Sequence, residues 1–301
     1  MNLPTGGIAF FDSGIGGLTV LNACMRRLKK GVFYYLGDNL RAPYGNLPPQ
    51  KVKEYVREAF DVFSSLHVKA AVVACNTATA LCIDDLRQNY SFPIVGTEPA
   101  VLSAAKGGGT VWSLSTRATY NSDRYKSLCA RAQELYPQSI VQPIACDGLA
   151  GAIEGGLWKT ENNYDDFLPK GSPTSIVLGC THYVFLKKQI EGRYGCSCYD
   201  GNEGISARLQ SLLPADESNA WDGRPLFQKK RAFRPLATTF LRQKNAGGYP
   251  NGFKSKKTNV CLCKRLKTNG IQPLKGGFGK IFFLGKSAAK NANFYKRMFA
   301  F

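Results

Sequence analysis

Two apolar runs, far apart in the chain, end in the same way. VVACNTATA spans 72–80 and IVLGCTHYV spans 176–184, and each breaks off at a cysteine followed by small polar residues. Each is preceded, at nearly the same distance, by another apolar run that stops at carboxylate or hydroxyl groups. The run at 8–11 reaches Asp12-Ser13, with Cys75 63 residues beyond Asp12; the run at 110–114 reaches Ser115-Thr116, with Cys180 65 residues beyond Ser115. Short apolar runs bounded by turn residues read as buried strands. Two near-equal intervals of strand, polar turn, strand and thiol predict two similar α/β halves with parallel sheets. Coincidence among βαβ units of ordinary size is the competing explanation. The matched chemistry at both ends of both intervals argues against it.

Further strands are predicted at 32–36, 70–74, 139–143 and 175–178. Leu18, Leu21, Met25 and Leu28 recur at helical spacing after the first strand, and Val52, Val56, Phe60 and Phe63 do so before the third. The predicted organisation is a first α/β domain over 1–95, completed by about 206–222 and by 280–301, and a second α/β domain over 96–205. The cleft between them is the expected site. Residues 223–279 carry scattered Lys, Arg, Gly and Pro with no sustained period, which predicts an irregular, poorly ordered basic segment. A strand at 281–284 and a helix at 287–299 are expected after it.

The formal charge of +19 suggests a nucleic-acid partner, but its distribution does not. Residues 1–213 hold 21 Lys and Arg against 18 Asp and Glu, a net +3, whereas 214–301 hold 19 against 3, a net +16. The excess lies away from the motifs, so any nucleic-acid binding is expected to be non-specific and through the tail. No run approaches the ~20 apolar residues of a membrane helix. The first residues lack the basic start and apolar stretch of a secretion signal, so a cytoplasmic protein with free thiols is expected.

Ten cysteines are present. Cys75 and Cys180 are isolated thiols, the wrong pattern for zinc, which favours paired ligands. The pairs Cys196/Cys198 and Cys261/Cys263 form a weak candidate for a four-cysteine site; no metal and no cofactor is the expectation. A thiol at a helix N-terminus, with Asn76 and Thr77 or Thr181 and His182 beside it, is placed for acid/base work. FDSGIGG (11–17) has the small residues of an anion-binding loop, but the carboxylate of Asp12 repels phosphate and suits an ammonium group. Two equivalent thiols facing one carbon from opposite sides suit proton removal and return, which is racemisation or epimerisation.

The motifs FFDSGIGGLTV (10–20), APYGN (42–46), VVACNTATA and LGCTHY (178–183), in that order, resemble cofactor-independent glutamate racemases of the aspartate/glutamate racemase family. The resemblance covers roughly 6–213. It implies two pseudo-symmetric α/β domains with the active site between them, and conversion of L- to D-glutamate for peptidoglycan. It makes Cys75 and Cys180 the acid/base pair, with Asp12, His182 and Glu154 assisting. Substrate contacts are implied for Asp12, Ser13, Tyr44, Gly45, Asn76, Thr77, Thr116, Thr119, Thr181 and His182. Asp147 stands where the family often has proline, and 214–279 matches nothing in the pattern, as an extension or as coding sequence read out of frame would. An aspartate-type racemase and an inactive protein with an anion-binding tail are the alternatives; homodimerisation is left open.

Like charges repel, and 223–279 has no periodic apolar face to offset its ordering entropy. Limited proteolysis is therefore expected to cut within 223–279 before any site in 1–213. Protection of this segment beyond that of 1–213 would show it to be a folded unit.

Overall fold

The computed structural model describes residues 6–28, 31–156, 164–213, 272–275, 279–284 and 288–299. The first half contains strands β1 (Ile8–Asp12), β2 (Gly31–Gly37), β3 (Ala70–Val73) and β4 (Ile94–Gly96). Helices α1 (Leu18–Arg27), α2 (Pro49–Ser65) and α3 (Asn76–Asn89) connect them. The second half contains β5 (Gly109–Ser115), β6 (Ser139–Ala145), β7 (Ser175–Leu178) and β8 (Ser197–Tyr199). It is preceded by α4 (Val101–Ala105) and connected by α5 (Arg117–Asn121), α6 (Asp123–Leu135), α7 (Leu149–Gly155) and α8 (Lys187–Tyr194). Then follow α9 (Asn202–Ser211), β9 (Gln272–Lys275), β10 (Gly279–Leu284) and α10 (Ala288–Phe299).

The duplication is visible in the strand order. One sheet runs β4-β3-β1-β2-β10-β9, the other β6-β5-β7-β8. Reading the second sheet backwards, β8-β7-β5-β6, reproduces β4-β3-β1-β2 strand for strand. All pairings among these eight strands are parallel. Beyond β2 the first sheet continues with β10, parallel to it, and then with β9, antiparallel to β10.

Both faces of the first sheet are covered, which explains why its strands are continuously apolar rather than alternating. Ile8, Phe10, Phe33, Tyr35 and Val72 face a core with α1, α9 and α10. Ala9, Phe11, Tyr34, Leu36 and Val73 face α2 and α3 through Val52, Val56, Phe60, Phe63 and Leu86. The second sheet repeats the arrangement. Trp112, Leu114, Ile176 and Leu178 pack with α7 and α8, and Val111 and Val177 pack with α4 and α6.

The two halves exchange their final helices. The helix after β4, α4, packs in the core of the second sheet, and the helix after β8, α9, packs on α1 of the first. Arg27 ties the second of these contacts, donating to Ser206 Oγ at 3.0 Å and pairing with Glu203 at 3.1 Å. Each half is therefore incomplete without a helix supplied from the far side of the other.

The expected strands all appear, as do the strand and helix expected near the C-terminus. Missed were β4 and β8, whose three residues are too short to show a period, and β9, which arises within the stretch expected to be irregular. The remainder of the basic segment, 223–271 and 276–278, lies outside the described residues, as do 214–222 and the Cys261/Cys263 pair.

Phe10 sits mid-strand at the centre of the first sheet, fully buried, with its ring 6.2 Å from that of Phe33. Phe10→Ala is expected to destabilise the protein by about 3–5 kcal/mol through lost burial and a residual cavity. Urea unfolding monitored by circular dichroism measures this; a loss below about 1 kcal/mol would contradict the core assignment.

Candidate active site

In doubly wound sheets the crevice at the carboxyl ends of the strands opens where successive connections leave on opposite faces. Here that point is β1 in the first sheet: α1 packs on one face and α2 on the other. In the second sheet it is β5, with α6 and α7 on opposite faces. The candidate residues project from these ends. Asp12 ends β1, Cys75 lies two residues beyond β3, Ser115 ends β5, and Cys180 lies two residues beyond β7.

The FDSGIGG turn is shaped by contact with the opposite half rather than by an anion. A Cβ at Gly16 would lie 2.3 Å from Thr181 Oγ1 and 2.8 Å from the His182 amide. One at Gly14 would lie 2.5 Å from Glu154 Oε2. The amides that a phosphate loop would offer are already engaged by carboxylates: Gly14 N–H donates to Asp12 Oδ2 at 3.0 Å, and Ile15 N–H to Glu154 Oε2 at 3.2 Å. The phosphate-loop reading is thereby set aside.

Cys75 caps α3, its sulfur accepting from the Ala78 amide at 3.4 Å and lying 3.5 Å from Ser13 Oγ. Burial and then the Asp12 carboxylate push its thiol up to about 12, against the weaker lowering by the Ala78 amide and Ser13. The negative charge of a Cys180 thiolate contributes to that rise, so the two sulfurs share one electrostatic neighbourhood. Cys180 departs from the expected helix-cap geometry. A short helical turn, Tyr183–Leu186, separates it from α8. Its polar neighbour is His182, whose Nδ1 is 3.8 Å from the Cys180 sulfur.

His182 is nearly inaccessible, and its Nε2 lies 2.7 Å from Glu154 Oε2. Burial alone would lower its proton affinity, but Cys180, Glu154 and Asp12 together raise it well above the ordinary imidazole value. Burial would likewise raise the Glu154 carboxyl; the His182 hydrogen bond and charge, with Asn39 and the Ile15 amide, bring it instead to about 2. An imidazolium–carboxylate pair therefore stands behind Cys180. Asp12, wholly buried, is raised by desolvation against the opposing pull of His182. It accepts from Thr181 Oγ1 at 3.2 Å, joining the two halves.

Three threonines form a cluster of their own. Thr77 Oγ1 is 2.9 Å from Thr116 Oγ1 and 3.2 Å from Thr119 Oγ1. Gly45 abuts Thr116 so closely that a Cβ would meet the threonine Cβ at 2.6 Å. The Tyr44 hydroxyl is turned away, donating to Asp38 at 2.6 Å, so Tyr44 serves this region by its backbone and by packing. Asn76 Oδ1 is buried with no hydrogen-bond partner, as a group awaiting a donor from a ligand would be. Asp147, at the position where proline was expected, pairs on the surface with Arg117.

Thus Asp12, Thr181, His182, Glu154 and Cys180 form one connected group, Cys75 and Ser13 a second, and Thr77, Thr116 and Thr119 a third. Sequence reasoning missed Asn39 and Lys290, both of which reach Glu154. Neither lies in a recognisable motif, and only tertiary packing, of the turn after β2 and of α10, brings them there.

Comparison with known proteins identifies the family. Residues 31–205 match the family model for Asp/Glu/hydantoin racemases. A glutamate racemase from Clostridium botulinum is 39% identical over 217 residues, which are 68% of this chain and 83% of that protein. A crystal structure of a glutamate racemase isoform from Bacillus anthracis superposes with a TM-score of 0.61 at 31% identity, covering 69% of this chain and 81% of that one. The Escherichia coli glutamate racemase, solved in complex with L-glutamate and an activator, UDP-MurNAc-ala, superposes with a TM-score of 0.61 at 27% identity, covering 74% and 87%. With the duplicated sheets, the paired strand-end thiols and these similarities together, the chain belongs to the Asp/Glu/hydantoin racemase family.

Proposed function

We propose that this protein interconverts L- and D-glutamate without a cofactor, using Cys75 and Cys180 as the acid/base pair. The observation that carries the reading is the equivalent placement of the two thiols, each two residues beyond equivalent strands of the two sheets. In one direction a thiolate accepts the α-proton while the opposite thiol donates one; in the other direction the roles reverse. The imidazolium of His182 is a donor beside Cys180, and Asp12 with Ser13 is the polar partner of Cys75. Asn76 Oδ1 is an acceptor for the substrate ammonium, and the Asp12 carboxylate, which bears on the neighbouring Cys75, is its negative counterpart. The hydroxyls of Thr77, Thr116 and Thr119 and the Gly45 backbone are donors for the carboxylates, while Thr181, whose hydroxyl donates to Asp12, is the contact that keeps Asp12 in place beside the substrate.

The reading includes a division into a unit of 1–95 with 206–222 and 280–301, and a unit of 96–205; the packing of α9 and α10 on the first sheet supports it. Glutamate is favoured over aspartate by the names of the relatives and by the L-glutamate held in the Escherichia coli protein. A cytoplasmic place supplying D-glutamate for peptidoglycan fits this reading. No helix among the described residues is long and apolar enough to cross a membrane.

Cys75→Ala or Cys180→Ala is expected to reduce racemisation of either enantiomer at least ~10²-fold, the usual scale for losing a general acid or base. Polarimetric circular dichroism of L- and D-glutamate measures it. Wild-type rates in either variant would refute the two-thiol mechanism.

The dependence on pH follows from the same chemistry. Because burial and Asp12 raise Cys75 to about 12, its base form is scarce at neutral pH and grows as pH rises. kcat/KM is expected to climb toward alkaline pH as one thiol ionises and to fall once both have done so, a bell belonging to the coupled pair. Glu154, brought down to about 2, stays a carboxylate throughout and adds no limb. A flat profile from mildly acidic to strongly alkaline pH would exclude thiol ionisation as the governing step.

A further inference from the structure

Glu154 has a saturated carboxylate. Its Oε2 accepts from the Ile15 amide at 3.2 Å and meets His182 Nε2 at 2.7 Å. Its Oε1 accepts from Asn39 Nδ2 and from Lys290 Nζ, the latter at 3.3 Å. A carboxylate offers about four lone-pair directions, so these contacts occupy them all and define one orientation. The two donors to Oε1 come from different elements. Asn39 lies two residues beyond β2, and Lys290 lies on α10.

The placement of Lys290 follows from how α10 is seated. Asn291, buried on the same helix, donates to the Gly37 carbonyl at the end of β2 at 3.4 Å. The Tyr295 hydroxyl reaches Met25 Sδ of α1 at 3.7 Å, and the Phe294 ring stands edge-on to Phe185 at 5.4 Å. Phe185 belongs to the helical turn that begins one residue after His182. The helix is thus anchored to the first sheet and touches the second half beside the very histidine that Glu154 holds. Lys290 itself is half exposed, with its side chain 54% accessible, so the screened charge of the ammonium contributes little and its hydrogen bond is what directs Glu154.

We propose that Lys290, from the C-terminal helix, is a positioning residue that fixes the Glu154 carboxylate and through it the orientation of His182 beside Cys180. The racemase site is then completed by a helix outside residues 31–205, the part matched by the family model. Its seat depends on the β10–α10 end of the chain, on the far side of 214–271. The proposal rests on the reading of Cys180 and His182 as parts of the racemase site. The other groups bearing on the His182–Glu154 pair are Asp12 on β1 and Tyr35 on β2, which the substitutions below leave in place.

The test uses the full-length chain carrying Lys290→Met, which keeps the aliphatic stem, and Lys290→Arg, which keeps the donor. Glutamate racemisation is measured alongside an NMR titration of the imidazoles in substrate-free protein. The chain has only two histidines, so His67 serves as an internal control for intact folding. Lys290→Met is expected to lower kcat about ten-fold with KM changed less than about two-fold, as loss of an outer hydrogen-bond partner does, and Lys290→Arg to restore most of it. His182 should lose its proton at lower pH in Lys290→Met than in wild type, because a loosened Glu154 no longer supports the imidazolium. Loss of a nearby positive charge alone would move His182 the other way. A Lys290→Met kcat within two-fold of wild type, or a His182 titration that is unmoved or raised, overturns the proposal. If the wild-type chain does not racemise glutamate, the functional reading fails, and the direction of the His182 shift still decides the role of Lys290.

Discussion

The contact between Glu154 and His182 is the point at which the two halves of this protein are made to agree. Both residues belong to the second half, yet the carboxylate accepts the Ile15 amide from the first, and Gly14 has no side chain so that the turn can come this close. A charged pair with a buried imidazole and a largely covered carboxylate is costly to desolvate and is retained only when its remaining hydrogen-bond capacity is met. Here the carboxylate is fully engaged. Removing one partner would leave the other charged and buried, typically a loss of about 3–5 kcal/mol. The pair therefore dictates how near the glycine turn must lie, and with it the position of Asp12 and Ser13 relative to both thiols.

The duplicated sheets explain why such a site can be assembled at all. Each half ends its central strand in a polar turn and its neighbouring strand in a thiol, and the two sets meet at the carboxyl edges. The exchange of α4 and α9 locks the pairing, because each core lacks a wall until the other half is in place. The halves are alike in backbone but not in electrostatics. Cys75 has a serine and a carboxylate for company, and Cys180 an imidazolium. Proton transfer in two directions needs two groups of comparable function, not identical surroundings, and the asymmetry sets different local fields at the two sulfurs.

The same geometry accounts for residues that a motif list would treat as substrate ligands. Tyr44 is buried with its hydroxyl committed to Asp38, and Arg41 binds the same carboxylate at 2.5 Å. That cluster holds the turn that sets Gly45 against Thr116. The tyrosine side chain is thus part of the packed wall, with its hydroxyl directed at Asp38. Asn76 is the opposite case, a buried amide oxygen without a partner, placed at the first turn of α3 beside Cys75.

What the sequence determined by itself was the repeated local pattern: apolar runs of strand length, helical periods between them, and a cysteine after two of the strands. These are properties of short windows, where burial and backbone geometry leave a direct trace in residue type. The strand order, the exchange of helices and the extension of the first sheet by β10 and β9 depend on contacts between distant segments, and no local period encodes them. The same division holds within the site. Cys75, Cys180, Asp12 and His182 could be read from motifs. The links from Asn39 and Lys290 to Glu154 could not, because a lone lysine or asparagine acquires its meaning only when folding sets it beside a buried carboxylate. The glycines of FDSGIGG lie between these cases. The sequence showed that the backbone there must come close to something, and only the tertiary structure decided that the something was the other half of the protein.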